Sequence, residues 1–285
     1  MKENFSDVFY EVPDGLTLYA RDYPGPSADA PVVLCLHGLS RNSRDFADLA
    51  PLLQRTHRVV VPEQRGRGNS AWDPDPSRYT PPTYIADMIF LLGHLGIHSC
   101  ALVGTSMGGL MAFGLHALAP SLLTHVVIND IGPEIAKEGL DRIKQYVGSS
   151  MCFPDWSAAT DYIQGGNQTV FPHYTRADWE AFAHRMCSER NGEVCLDYDP
   201  LISAPMKAAG GDDALSDLWP LYDGLRDLPV MLIRGGASDL LDEACAAQMR
   251  ARHPGLVYLE VPGIGHAPML NEPGVAEAIG EFINS

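Results

Sequence analysis

Hydrophobic positions along the chain follow two rhythms. Short, nearly continuous apolar runs occur at residues 32–36 (V-V-L-C-L), 58–61 (R-V-V-V), 100–103 (C-A-L-V), 125–129 (H-V-V-I-N), 230–234 (V-M-L-I-R) and 256–261 (L-V-Y-L-E-V). Runs without polar alternation are expected of strands covered on both faces, as in a parallel sheet. Between them, residues 45–53, 84–95 and 110–119 repeat their apolar positions with a helical period, the last closed by Pro120, and a final helix is predicted over 275–283. Ahead of all these, residues 8–12 and 16–23 flank Pro13-Asp14-Gly15, which predicts two antiparallel strands and a tight turn. The regular exchange of strand and helix predicts the α/β class: a mostly parallel, right-handed wound sheet flanked by helices, with ligands at the carboxyl ends of its strands.

The rhythm breaks after Asp130. From about 133 to 225 no buried-strand run appears; helix-like stretches lie near 135–147, 156–164, 176–190 and 213–222. The expected organisation is a core domain of residues 1–132 and 226–285 with a helical cap, residues 133–225, inserted into it. The insert is rich in large side chains (Met151, Trp156, Phe171, Trp179, Phe182 among them), and most of these are expected to form its own core.

Composition narrows the function. The chain has 285 residues, 46% hydrophobic and 20% charged, with a formal net charge of -16. That charge disfavours nucleic acid and anionic membranes as partners. The first residues contain scattered acids and no secretory apolar core, and no window approaches a membrane span, so a cytoplasmic location is expected. Six cysteines lie far apart without a C-x-x-C pair, which points to packed thiols rather than to zinc or a disulfide scaffold.

The candidate chemistry centres on Gly104-Thr105-Ser106-Met107-Gly108-Gly109, between a predicted strand and a predicted helix. A serine there must turn sharply, which presents its hydroxyl and the first helical N–H groups to one point in space. A serine hydroxyl needs a base, and the base needs an acid to fix its tautomer. His266 follows the 256–261 strand in the glycine loop Pro262-Gly263-Ile264-Gly265, and Asp239 follows the 230–234 strand in Gly235-Gly236-Ala237-Ser238. These are the expected base and orienting acid. Asp130, at the end of the 125–129 strand, is a rival acid reaching the same histidine by another path, and Asp242 is expected to cap the next helix. The backbone N–H groups of Met107 and Leu39 are the expected oxyanion donors, and His37 is expected to hold its loop rather than to move protons.

The ordered set H-G-L-S, E-x-R-G-x-G-x-S, G-T-S-M-G-G, G-G-A-S-D and G-I-G-H, spanning nearly the whole chain, resembles the α/β-hydrolase fold superfamily. Within it the chain resembles bacterial cap-bearing hydrolases: carboxylesterases, enol-lactone hydrolases and meta-cleavage-product hydrolases. Glu63 stands where that family usually has aspartate, and H-G-L-S-R-N and G-T-S-M-G-G replace the H-G-x-G-P-G and G-N-S-M-G-G of the carbon-carbon hydrolases. The resemblance implies a cofactor-independent serine hydrolase of a small, fairly apolar ester or lactone, with no metal. Carbon-carbon bond hydrolysis is the alternative, and a small-molecule receptor without turnover a second one. Arg41 and Arg44 are candidate contacts for a substrate carboxylate, and Trp72 and Met269 for the acyl pocket.

Overall fold

A computed structural model describes residues 4–208 and 217–285; part of the helix expected at 213–222 lies outside the described residues. Eleven strands are found among them: β1 (Ser6–Glu11), β2 (Thr17–Tyr23), β3 (Val32–Leu36), β4 (Arg58–Glu63), β5 (Cys100–Thr105), β6 (Leu123–Asn129), β7 (Cys152–Phe153), β8 (Cys187–Arg190), β9 (Glu193–Leu196), β10 (Val230–Gly235) and β11 (Val257–Val261). The helices are α1 (Ala50–Leu53), α2 (Pro81–His94), α3 (Met107–Leu118), α4 (Lys137–Tyr146), α5 (Trp156–Asn167), α6 (Arg176–Met186), α7 (Ala204–Ala208), α8 (Trp219–Asp223), α9 (Glu243–Arg252) and α10 (Val275–Ile283).

One eight-stranded sheet, ordered β1-β2-β4-β3-β5-β6-β10-β11, forms the centre. The two N-terminal strands pair antiparallel, as the Pro13-Asp14-Gly15 turn requires, and every pairing from β4 to β11 is parallel. The continuous apolar runs are the central strands: Val33, Leu34, Val59, Val60, Leu102, Val103, Val126, Val127, Leu232 and Ile233 are inaccessible to solvent. Burying each such side chain stabilises the fold by roughly 1.5–3 kcal/mol before chain entropy is set against it. Right-handed crossovers fix where the helices go. The step from β3 to β4 runs toward one sheet edge and the steps β4 to β5 and β5 to β6 toward the other, so α1 lies on one face and α2 and α3 on the opposite one. Contacts agree: α2 packs on α3, and α1 on α10.

The helix expected at 45–53 is broken in two, a 3-10 turn at Ser43–Phe46 and the short α1, because Pro51 is tolerated only in a first turn. A larger difference lies between β6 and β10, where a helical segment was expected. Besides α4 to α8 the structure has a three-stranded antiparallel sheet, ordered β7-β9-β8. The helix expected to reach residue 190 stops at Met186, and Cys187 to Arg190 turn back on β9 through Asn191 and Gly192, both at positive φ (55° and 87°). An Asn-Gly pair is the preferred two-residue hairpin turn. Cys152 and Cys195 face each other across β7 and β9 and are joined by a disulfide, a pairing the wide cysteine spacing did not suggest; Cys35, Cys100, Cys187 and Cys245 are free and buried. Among the described residues, no helix is long and apolar enough to cross a membrane.

Candidate active site

The strand order brings the carboxyl ends of β5, β6, β10 and β11 side by side, so Ser106, Asp130, Asp239 and His266 all belong to loops on one rim of the sheet. Ser106 has φ 53° and ψ -116°, a conformation costing of order 1–3 kcal/mol for a residue with a side chain. It is held there by its N–H, which donates to Asn129 O (2.9 Å), and by close packing of the turn. A Cβ on Gly108 would stand 2.2 Å from Leu36 O, and one on Gly104 would stand 2.4 Å from the Gly108 carbonyl, so neither position admits a side chain.

His266 Nε2 lies 2.9 Å from Ser106 Oγ, and His266 Nδ1 lies 2.9 Å from Asp130 Oδ2. A carboxylate only accepts, so Nδ1 carries the proton and Nε2 is left to accept from the serine hydroxyl. Asp130 is wholly buried and takes the left-handed φ of 57°, which an aspartate tolerates better than most residues. Its carboxylate also accepts from Gly235 N–H (2.8 Å) and Ser238 Oγ (2.7 Å).

This corrects the expectation for Asp239. Its carboxylate is bound by Arg142 of α4 through Nε and Nη2 (2.5 and 2.9 Å), and its carbonyl accepts from Gly139 N–H of the same helix. Burial pushes the Asp239 carboxyl up, but the Arg142 guanidinium outweighs it and holds the group below the usual carboxylate range. Asp239 is thus turned toward α4, and the rival Asp130 holds the histidine. Asp242 caps α9 by accepting from Cys245 N–H.

The surrounding loops are fixed by buried polar groups. His37 accepts from Gln64 N–H at Nε2 (3.0 Å) and donates from Nδ1 to Gly38 O (2.7 Å); burial pushes its imidazole down to about 4, so it stays neutral. Glu63, in place of the family's usual aspartate, accepts from Ser43 N–H and Oγ and from Asn69 N–H, tying the loop after β3 to the loop after β4. Leu39, on the first of these loops, lines the same cavity as Ser106, while Met107 is buried at the first position of α3. Neither backbone N–H is engaged in a hydrogen bond among the described residues.

Ser106 and His266 open into a cavity of about 560 Å³ roofed by the segment between β6 and β10, with Phe46, Ile143, Phe171, Phe182 and Met269 among its apolar walls. That volume suits a small-molecule ligand. A second, more open cleft of about 700 Å³ beside α6 holds neither Ser106 nor His266. Of the expected substrate contacts, Arg41 and Met269 line the first cavity. Trp72 does not: 45% exposed, it lies under the Arg190 guanidinium, 5.1 Å from the ring centre. Arg44 is also elsewhere, donating to Arg185 O and Cys187 O and pairing with Asp197 (2.6 Å), which ties the β3 loop to the inserted segment. Arg142 and Tyr146 are cavity residues that periodicity missed; both lie on α4, a helix whose packing direction the sequence does not reveal.

The model of the alpha/beta hydrolase family matches residues 33–278. The chain belongs to the alpha/beta hydrolase family. Among curated members it is 34% identical over 280 residues to 3-hydroxybutyrate-oligomer hydrolase of Cupriavidus necator, covering 95% of this chain and 94% of that protein. It is 30% identical over 276 residues to 2-(acetamidomethylene)succinate hydrolase of Mesorhizobium japonicum, covering 95% and 92%. An alpha/beta hydrolase from Novosphingobium aromaticivorans superposes with a TM-score of 0.94 at 40% identity, covering 100% of this chain and 99% of that one.

Proposed function

We propose that this alpha/beta hydrolase is a cofactor-independent serine hydrolase of carboxylic esters. The observation that carries the reading is the unbroken hydrogen-bond chain Ser106–His266–Asp130, opening into one largely apolar cavity. His266 Nε2 removes the Ser106 proton as Oγ attacks the ester carbonyl, and the tetrahedral oxyanion is received by the Met107 and Leu39 N–H groups. Collapse breaks the carbon-oxygen bond, His266 returns the proton to the leaving alcohol, and the acyl group stays on Ser106. Water, deprotonated by His266, then repeats the sequence and releases the acid. Asp130 keeps the imidazole in the required tautomer and stabilises its cationic form throughout. Electrons and protons balance within the ester, the water and these side chains.

The inserted residues 133–225 serve as a cap that shapes the substrate cavity. Similarity along nearly the whole length to a 3-hydroxybutyrate-oligomer hydrolase supports a short hydroxyacid oligoester as the substrate class. Hydrolysis of p-nitrophenyl esters of graded acyl length, of 3-hydroxybutyrate dimer and trimer, and of a meta-cleavage dienone is the test, on the native protein and on Ser106→Ala. Oligoester turnover that the substitution abolishes supports the reading. Dienone turnover with silence on every ester replaces it by carbon-carbon hydrolysis.

A further inference from the structure

Two guanidinium groups stand in the cavity beside Ser106, and they come from different parts of the chain: Arg41 from the loop after β3, Arg142 from α4. Arg41 is held rigidly. Its Nε and Nη2 donate to Asp45 (2.8 and 2.5 Å) and its guanidinium lies 4.4 Å from the centre of the Phe182 ring, while Nη1 has no hydrogen-bond partner among the described residues. Arg142 is held from behind by Asp239, which does not line the cavity. Tyr146 lines the cavity one helical turn along α4 from Arg142. Desolvation raises its phenol pKa, the fields of Arg142 and then Arg41 pull it back, and Asp239 adds a smaller rise, so both cations and one acid act on the same hydroxyl. The carboxylates of the wall are paired, Asp45 with Arg41 itself and Asp161, exposed, with Arg176.

Each guanidinium is already paired with one carboxylate, Arg41 with Asp45 and Arg142 with Asp239, and what faces a ligand in the cavity is the N–H groups those pairs leave over. N–H groups left over on a charged guanidinium are matched best by an anionic oxygen, and such bonds are strengthened where water is excluded. We infer that the Arg41–Arg142–Tyr146 corner seats a free carboxylate of the substrate, making the enzyme selective for esters that carry a terminal carboxylate. Resting on the proposed esterase activity, the inference makes it more specific, because every linear hydroxyacid oligomer ends in such a group. Capping that end as a methyl ester removes the charge and leaves the scissile bond unchanged.

The readout is therefore the ratio of kcat/KM for 3-hydroxybutyrate dimer free acid to that for its methyl ester, measured in each protein separately. A native ratio of about ten or more is expected from one desolvated charge-assisted contact. The ratio should fall toward one in Arg142→Gln and in Arg41→Gln, and Arg142→Lys should retain part of it. Since Arg142→Gln leaves Asp239 without its partner, Arg142→Gln/Asp239→Asn separates loss of the cation from the effect of an orphaned acid; the ratio should stay low in it. Should Arg142→Gln fail to fold by circular dichroism, Arg41→Gln carries the test. A native ratio near one, or a ratio unmoved by both arginine substitutions, overturns the inference while Ser106-dependent ester turnover stands. Absence of Ser106-dependent turnover on either substrate overturns the esterase reading itself.

Discussion

The ends of β6 and β10 present the same residue in the same setting, an aspartate just beyond a buried parallel strand, and neighbouring strands at that. Asp130 is sealed from water and accepts from Gly235 N–H, Ser238 Oγ and His266 Nδ1. Asp239 keeps its side chain 25% exposed and is bound by Arg142. A carboxylate's role in such a place is set by which cation or donor reaches it first. At β6 the chain reverses through a left-handed residue, which turns the Asp130 side chain inward under the β10 loop. At β10 the loop lies under α4, where Gly139 allows close approach: a Cβ there would be 2.5 Å from Asp239 O. That contact delivers Arg142 to Asp239.

Removing each acid in turn should have the largest effect. Asp130→Asn should lower kcat by about 10³- to 10⁴-fold, because the amide favours the wrong imidazole tautomer and leaves the developing imidazolium uncompensated. Asp239→Asn should change kcat by less than about tenfold. Equal losses, or a larger loss at Asp239, would return the orienting role to Asp239. A smaller effect is expected from Ser238→Ala, which deletes one donor to the Asp130 carboxylate. A stability loss of about 1–2 kcal/mol by denaturant titration and a several-fold drop in kcat should accompany it.

A small effect is read at Asp239 through pH. Asp239 has its folded pKa lowered by Arg142, so the unfolded chain binds its proton first as pH falls. The pair's contribution is present above the ordinary value of 3.8 and is lost as pH drops through the lower folded value. The difference in unfolding free energy between native protein and Asp239→Asn, about 1 kcal/mol at neutral pH for a partly exposed pair, should shrink below pH 4 when read by urea titration. His37 is a second, larger lever on acid stability. Its folded pKa near 4 lies below the ordinary 6.5, so the unfolded state takes up a proton that the folded state refuses, and stability falls as pH drops from 6.5 to 4. His37→Gln should flatten that part of the stability curve measured by urea titration.

Much of the site was readable in the chain. The glycine spacing around Ser106 records a turn that admits no side chains at Gly104 and Gly108, and the glycine loop before His266 records a reach across the rim. The strand positions were readable because burial on both faces demands continuous apolar runs. The inserted segment is less legible. Its strands are short, with the exposed faces typical of a small antiparallel sheet, and the Asn191-Gly192 turn that announces β8 and β9 was overshadowed by the helical period of the residues before it. Trp72 follows a site loop in sequence yet faces solvent, since proximity along the chain says nothing about which way a loop folds.

Local sequence determined the parallel sheet, the strained serine turn and the glycine loop that carries His266, because each depends on residues within one strand and its following loop. Only the tertiary structure decided between Asp130 and Asp239, joined Cys152 to Cys195, and placed Arg41 and Arg142 in one cavity. Each of these requires partners brought together across many residues of intervening chain, and the pairing is settled by strand order and helix packing, which periodicity and spacing do not encode.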